Sequence, residues 1–336
     1  MPSLVVQTSF LGDVILTTPL IAELSRRGPV DVLTTPIGRT VLANDPAIRK
    51  LIVFDKKTSG RLIQTWKVVR SLRDSDSEIR ESTAFMAQGS MRSAAVAAFA
   101  GIPVRIGFDT SAGKPFYTRT VEYQSDRHHA ERLLRLADVE NPDLSMVRPR
   151  LYPGGSDKRS VDRLMQGQST PFVVLAPGSA WGTKRWPYFP QLARILTENF
   201  PVVVIGGDAE GALAGEIEVA APGRTIDATG ELSVLGSAEL IGRAAAIVSN
   251  DSAPLHLASA MNTPTVAVFG PTVPDFGFGP LSDARQIAGL DGLPCRPCDR
   301  HGPQSCPLGH WRCMRELSAE YVYELLMILV PLPRMA

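Results

Sequence analysis

Short β-branched runs alternate with longer amphipathic stretches along nearly the whole chain, and this alternation restricts the fold more than any other feature. Residues 4–8, 30–34, 50–54 and 85–88 have the composition of buried strands. Residues 14–27, 63–72 and 93–100 have the helical period, the first stopped by Gly28-Pro29 and the last by Gly101-Ile-Pro103. A second series places strands at 172–176, 202–206, 225–228 and 246–249 and helices at 188–199, 209–219 and 237–245. Strands separated by helices cannot pair as hairpins; they form parallel sheets covered on both faces. The expectation is an α/β chain of two doubly wound, Rossmann-like domains whose strand carboxyl ends face each other across a cleft. Turn formers mixed with a short polar helix make 151–170 the expected linker. The domains then run over 1–160 and 171–315, and 316–336 forms a C-terminal helix expected to pack back on the first domain.

Of the 336 residues, 44% are apolar and 21% charged, which suits a folded chain rather than a disordered one. No apolar run approaches the ~20 residues of a membrane-spanning helix. No basic segment precedes an apolar one at the start, so a cytoplasmic protein is expected. Residues 1–150 hold 21 Lys and Arg against 16 Asp and Glu, and the remainder 14 against 18. A basic first half suits an anionic partner or membrane surface, although chance fluctuation of a few charges gives the same difference. Without a dense basic run interleaved with aromatics, nucleic acid is not an expected partner.

The segment Val248-Ser-Asn-Asp-Ser-Ala-Pro-Leu-His-Leu-Ala-Ser259 runs from a strand through a polar turn into a helix, with Pro254 in its first turn. A helix start at the end of a parallel strand offers backbone N–H groups, from Ala253 onward, to a phosphate. Asp251, Ser252 and His256 stand beside it. Helix capping explains Asp251 or Ser252 equally well, but it does not need His256. A second loop, Ala176-Pro-Gly-Ser-Ala-Trp-Gly-Thr-Lys-Arg-Trp-Pro187, leaves backbone amides exposed as an anion nest. Thr183, Lys184 and Arg185 precede a helix expected to begin at Pro187. A cation there opposes the helix dipole, and a phosphate removes the conflict, which singles out Ser179 and Lys184. The first strand ends in Thr8-Ser-Phe-Leu-Gly-Asp13, where Gly12 permits close approach of a ligand. Asp13 reads either as a helix cap or as a general base. No Gly-x-Gly-x-x-Gly follows that strand and no P-loop occurs, so dinucleotide oxidoreductases and P-loop enzymes lose support.

All four cysteines fall in Cys295-x2-Cys298-x7-Cys306-x6-Cys313, with His301 and His310 among them. In a cytoplasmic chain this spacing favours a metal over disulfides. A structural tetrahedral zinc site is one reading, and a reduced cluster without metal is the other.

Taken together these loops resemble those of the ADP-heptose:lipopolysaccharide heptosyltransferases, glycosyltransferase family 9. The matching residues are Thr8-Ser-Phe-Leu-Gly-Asp13, Gln88-Gly-Ser-Met-Arg-Ser93 with Ala100-Gly-Ile-Pro-Val-Arg-Ile-Gly-Phe108, and Pro177-Gly-Ser179 with Lys184-Arg-Trp-Pro187. Thr229-Gly230, Ser249-Asn-Asp-Ser252 with His256, and Phe269-Gly-Pro-Thr272 continue the series in order. Lys184-Arg-Trp-Pro187, Asn250-Asp-Ser252 and Gly270-Pro-Thr-Val-Pro-Asp275 are most similar to the heptosyltransferase II branch.

The resemblance implies a glycosyltransferase-B architecture and an inverting heptosyl transfer from ADP-heptose to the heptose of a lipid A–core acceptor. No cofactor is implied for catalysis. Asp13 is then the base and Lys184 the second catalytic residue. Ser179, Thr183 and Lys184 hold the departing diphosphate, with Asp251, Ser252, Ala253 and His256 on its other side. Gly12, Arg61, Arg92, Arg105 and Arg119 are the expected acceptor contacts. The enzyme is expected to be a monomer, peripheral on the cytoplasmic face of the inner membrane. Alternatives are another member of the family with a different acceptor or donor, a nucleotide-sugar 2-epimerase, and a non-catalytic sugar-nucleotide-binding protein.

Overall fold

Twelve strands among the described residues form two six-stranded parallel sheets. A computed structural model describes residues 2–56, 61–74, 81–168 and 171–330, with the side chains of Arg61 and Leu62 outside the description. The chain divides into two units, Met1–Tyr152 and Pro153–Ala336. In the first, β1 (Ser3–Gln7), β2 (Val30–Thr34), β3 (Lys50–Val53), β4 (Thr83–Met86), β5 (Val104–Phe108) and β6 (Arg119–Val121) lie in the order β3-β2-β1-β4-β5-β6. In the second, β7 (Val173–Ala176), β8 (Val202–Val204), β9 (Thr225–Asp227), β10 (Ala246–Asn250), β11 (Thr265–Phe269) and β12 (Arg285–Gly289) repeat it as β12-β11-β10-β7-β8-β9. The order reverses between β1 and β4 and again between β7 and β10. In open parallel sheets the crevice beyond such a reversal is where ligands bind, because neighbouring loops diverge there.

The central strands are apolar on both faces, as strands covered by helices must be. Leu4, Val6, Leu33, Ala84 and Met86 join Val68, Val69 and Leu72 in the first core. Val173, Leu175, Val202, Val204, Val248 and Val266 join Phe189, Leu192 and Leu196 in the second.

The stretch expected as one helix over 14–27 is two, Leu11–Leu16 and Thr18–Ser25. Pro19 has no N–H to give the Ile15 carbonyl, and the Thr18 hydroxyl takes that carbonyl instead at 2.9 Å. The expected linker contains a helix of the second unit, Gly155–Leu164, started by Asp157 accepting from Gly154 N–H at 2.8 Å. It is fastened to the helix Val234–Arg243 by Arg243–Asp162 at 2.6 Å and to its N-cap Ser233 by Asp157 at 2.6 Å. The C-terminal helix Ala319–Leu329, expected to pack on the first domain, contributes Ala319, Val322 and Leu326 to the core of the second unit. None of the described helices is long and apolar enough to cross a membrane.

Candidate active site

In the second unit the loop after β7 and the turn after β10 straddle the reversal. Asn250, the last residue of β10, ties them together. Its side-chain oxygen accepts from Trp186 N–H at 3.2 Å, and its side-chain nitrogen donates to the Pro177 carbonyl at 2.8 Å. Trp186 is buried edge-on against Phe189, with ring centroids 5.1 Å apart, and donates Nε1–H to the Leu317 carbonyl at 2.9 Å. The loop is thus pinned from below, which fixes where Lys184 emerges.

Lys184 Nζ donates to Asp251 Oδ2 at 2.5 Å, and both side chains are 10% exposed. The Thr272 hydroxyl donates to the same oxygen at 2.7 Å. Asp251 itself is held by its N–H donating to the Val268 carbonyl at 3.1 Å. Ser252 is the extended N-cap of the helix Ala253–Met261, and its hydroxyl makes no capping bond. His256 is buried one turn in, edge-on to Phe278, and its Nδ1 has no hydrogen-bond partner among the described residues. Burial holds the His256 imidazole down at about 4, the Asp251 charge opposing the shift and the Lys184 charge adding to it, so the ring is neutral at physiological pH.

Thr183, Lys184 and Arg185 do not begin the following helix. They belong to a separate 3-10 turn, Gly182–Lys184, that runs out into extended Arg185; the helix Phe189–Leu196 starts later, capped by Tyr188 with Pro190 in its first turn. The conflict between cations and that helix dipole therefore falls away. What organises the turn is the cysteine-bearing segment. The Thr183 hydroxyl donates to the Pro303 carbonyl, Gly182 N–H donates to Gln304 Oε1 at 3.1 Å, and Gln304 Nε2 donates to the Ala180 carbonyl at 3.0 Å. Trp181 stacks on His301 with centroids 5.8 Å apart. Only glycine fits at 182, since a Cβ would lie 2.3 Å from the Gln304 carbonyl oxygen. Ser179 accepts from Trp181 N–H at 3.3 Å, and Arg185 donates to the Ser179 carbonyl at 2.9 Å.

The four cysteines are free thiols. Among the described residues no group of three or more His, Cys, Asp or Glu side chains is placed to hold a metal ion, so the expected zinc site has no converging ligand set here. Cys298 donates to the Cys295 carbonyl at 3.1 Å, and Cys295 Sγ is 3.8 Å from His310 Nε2. Burial, and after it the neighbouring thiols, push the Cys313 thiol up to about 11.

In the first unit the corresponding loops follow β1 and β4. The helix Leu11–Leu16 is capped by Phe10 without a side-chain bond, so Asp13 lies in its first turn and is not its N-cap. Gly12 lies between them. The Asp13 carbonyl accepts from the Thr17 hydroxyl at 2.7 Å and from buried Gln7 Nε2 at 3.4 Å. Asp13 Oδ1 lies 3.9 Å from His129 Nε2, a neighbour that the sequence reading did not single out. Thr8 and Ser93 hydroxyls, 3.0 Å apart, join the two loops across the reversal.

The expected acceptor arginines separate. Arg92 sits on the β4 side of this crevice, at the start of the helix Met91–Phe99. Arg105 and Arg119 lie near the amino ends of β5 and β6, the opposite edge of a parallel sheet. Arg105 is engaged by the carbonyls of Phe116, Ile102 and Pro103, and Arg119 pairs with Asp138. Arg61 opens the helix Arg61–Asp74, but its side chain lies outside the described residues.

Residues 66–309 match glycosyltransferase family 9 (heptosyltransferase). The chain is 29% identical to lipopolysaccharide heptosyltransferase 2 of Escherichia coli (strain K12), an alignment covering 86% of this chain and 88% of that protein. It is also 29% identical to lipopolysaccharide heptosyltransferase 1 of Pseudomonas aeruginosa, over 88% of this chain and 85% of that one. Among solved structures, E. coli ADP-heptose lps heptosyltransferase II superposes with a TM-score of 0.80 at 25% identity, covering 98% of each chain. A glycosyl transferase family 9 protein from Veillonella parvula gives a TM-score of 0.83 at 22% identity, over 98% of this chain and 96% of that one, and shares the fold. With the family match over residues 66–309 and relatives aligned along most of its length, the chain belongs to glycosyltransferase family 9 and is a glycosyltransferase.

Proposed function

We propose that this enzyme transfers L-glycero-D-manno-heptose from ADP-heptose to the heptose of the lipopolysaccharide inner core, with inversion. The observation that carries the reading is buried Lys184, held beside the start of the helix Ala253–Met261 by Asp251, which in turn accepts from Thr272. A fixed cation and backbone N–H groups at one sheet reversal suit a diphosphate whose charge grows as the sugar departs. Ser179, Ser252, Ala253 and neutral His256 line the same place, and Asp251 serves by holding Lys184. Similarity to lipopolysaccharide heptosyltransferase 2 of E. coli supports the donor and acceptor named.

Asp13 is the base in this reading. It removes the proton of the attacking acceptor hydroxyl as the new glycosidic bond forms and the bond to the nucleotide breaks. Its carboxylate stands in the first turn of the helix Leu11–Leu16, in the loop after β1. Peripheral contact with the cytoplasmic face of the inner membrane is supported by exposed Ile63, Trp66 and Phe99, with Lys67 and Arg70 on the same helix as Trp66.

The test is a donor screen by mass spectrometry with a heptose-bearing lipid A core as acceptor. Transfer from ADP-heptose with inversion is expected. Transfer only from another nucleotide sugar, or to another acceptor, would replace the assignment within the family.

A further inference from the structure

Two histidines stand side by side where the chain leaves edge strand β6 and returns to the loop after central strand β1. His128 is the N-cap of the helix His129–Arg135, its Nδ1 accepting from Ala130 N–H at 3.2 Å. Capping accounts for His128 and does not call for a second histidine. His129 Nε2 lies 3.9 Å from Asp13 Oδ1, the two side chains 13% and 22% exposed.

The backbone is fixed on both sides of this contact. The helix carrying His129 buries Ala130, Leu133 and Leu134. Arg132 secures it by donating to the Ser125 carbonyl at 2.8 Å, its guanidinium 4.8 Å from the centroid of the Tyr123 ring. Thr17 and Gln7 hold the Asp13 carbonyl. Side-chain rotation is therefore what can close the gap. A separation of 3.9 Å lies beyond a hydrogen bond, but hydrogen bonds at catalytic groups are commonly long until substrate closes them.

A carboxylate held by one oxygen presents the other in a fixed direction. We propose that His129 is a positioning residue for Asp13: its Nε2–H donates to Oδ1 and leaves Oδ2 to take the proton of the attacking hydroxyl. In that step the hydroxyl oxygen bonds to the anomeric carbon, and its proton passes to Oδ2. The electron pair of the breaking bond leaves on the diphosphate, and His129 keeps its own proton. The role in transfer rests on Asp13 being the base; the pairing itself does not.

Nitrogen-resolved imidazole spectra of the full chain read the pairing. The His129 Nε2 resonance, assigned by its loss in His129→Gln, is expected to move in Asp13→Asn; an unmoved resonance would overturn the pair. Transfer kinetics read the role. His129→Leu is expected to lower kcat about a hundredfold, the loss typical of a reacting group misplaced by about 1 Å. The KM values of ADP-heptose and acceptor are each expected to stay within a factor of about two, since the effect lies on the chemical step. His129→Gln, whose amide also donates and reaches about as far as Nε2, is expected to recover kcat to within about tenfold. Added to Asp13→Asn, His129→Leu is expected to lower the residual rate no further, because residues acting as one unit are not additive. A change in KM alone, no recovery in His129→Gln, or full additivity with Asp13→Asn would overturn the positioning role. Transfer retained by Asp13→Ala would overturn the assignment of the base and leave the pairing to the spectra.

Discussion

Lys184 Nζ and Asp251 Oδ2 lie 2.5 Å apart at the mouth of the helix Ala253–Met261, each side chain 10% exposed. The lysine is thus neutralised by a carboxylate, and the Thr272 hydroxyl holds that carboxylate from behind at 2.7 Å. The pair keeps the ammonium extended and in place, which in the proposed reading precedes nucleotide binding. That spares the entropy of ordering a long side chain at the moment of binding.

Asp251→Asn leaves the lysine buried without its counter-charge. Breaking a buried pair in this way costs about 3–5 kcal/mol of stability. ADP should restore part of it, because its diphosphate supplies the missing negative charge to the folded state alone. Thermal denaturation with and without ADP checks this: the ADP-induced rise in Tm is expected to be larger in Asp251→Asn than in the unmodified enzyme. Equal rises would show that Lys184 does not meet the diphosphate.

Lys184→Ala is expected to weaken ADP binding by ~1.5–3 kcal/mol, the range for a hydrogen bond to a charged group. Calorimetry with ADP is the measurement, and an unchanged Kd would remove Lys184 from the nucleotide site.

Asp13→Ala is expected to abolish transfer while the affinity for ADP-heptose stays within a factor of about two, since general-base removal acts on the chemical step. Steady-state turnover and a separate binding isotherm distinguish the two effects. A large fall in donor affinity with turnover preserved would show that Asp13 is not the base.

How far the sequence could be read depended on what each residue type encodes. Strands with both faces buried, such as 4–8 and 172–176, announce themselves as unbroken β-branched runs. Strands β6 and β12 do not, because Arg119 and Thr120 and then Arg285 and Ile287 are exposed at the sheet edges. Asp13, Lys184 and Asp251 lie in the segments that follow β1, β7 and β10, so a buried strand read from the sequence places them beyond its carboxyl end. Charge carries no mark of which end of a strand it occupies, so the sequence does not distinguish Arg105 and Arg119, near the amino ends of β5 and β6, from Arg92 beyond the carboxyl end of β4. The separate turn at Gly182–Lys184 depends on Pro303 and Gln304, more than a hundred residues away, and no local pattern could have foretold it.

That dependence makes Gly182→Ala a sharp test of the C-terminal segment. The added Cβ would sit 2.3 Å from the Gln304 carbonyl oxygen, a backbone atom that cannot rotate away. Loop and segment must part, at a cost of about 1–3 kcal/mol typical of overpacking. ADP affinity should fall with stability, because Lys184 rides on the displaced turn. Loss of stability with ADP binding intact would mean that the segment supports the fold without organising the site.

His256 makes the pH dependence of stability specific. Its imidazole falls from 6.5 to about 4 in the folded protein, burial being the first cause. As pH drops below 6.5 the unfolded chain takes up a proton that the folded chain refuses until about 4. The unfolded state binds more protons throughout that window, so stability declines with falling pH across it and this contribution levels off below. His256→Gln keeps a polar side chain of similar reach but cannot titrate. Urea denaturation at neutral pH and in the middle of the window should show a smaller acid-induced loss in His256→Gln than in the unmodified enzyme. An identical loss in both would show that the ring takes up its proton in the folded state, and that it is not the neutral group placed here beside Lys184 and Asp251.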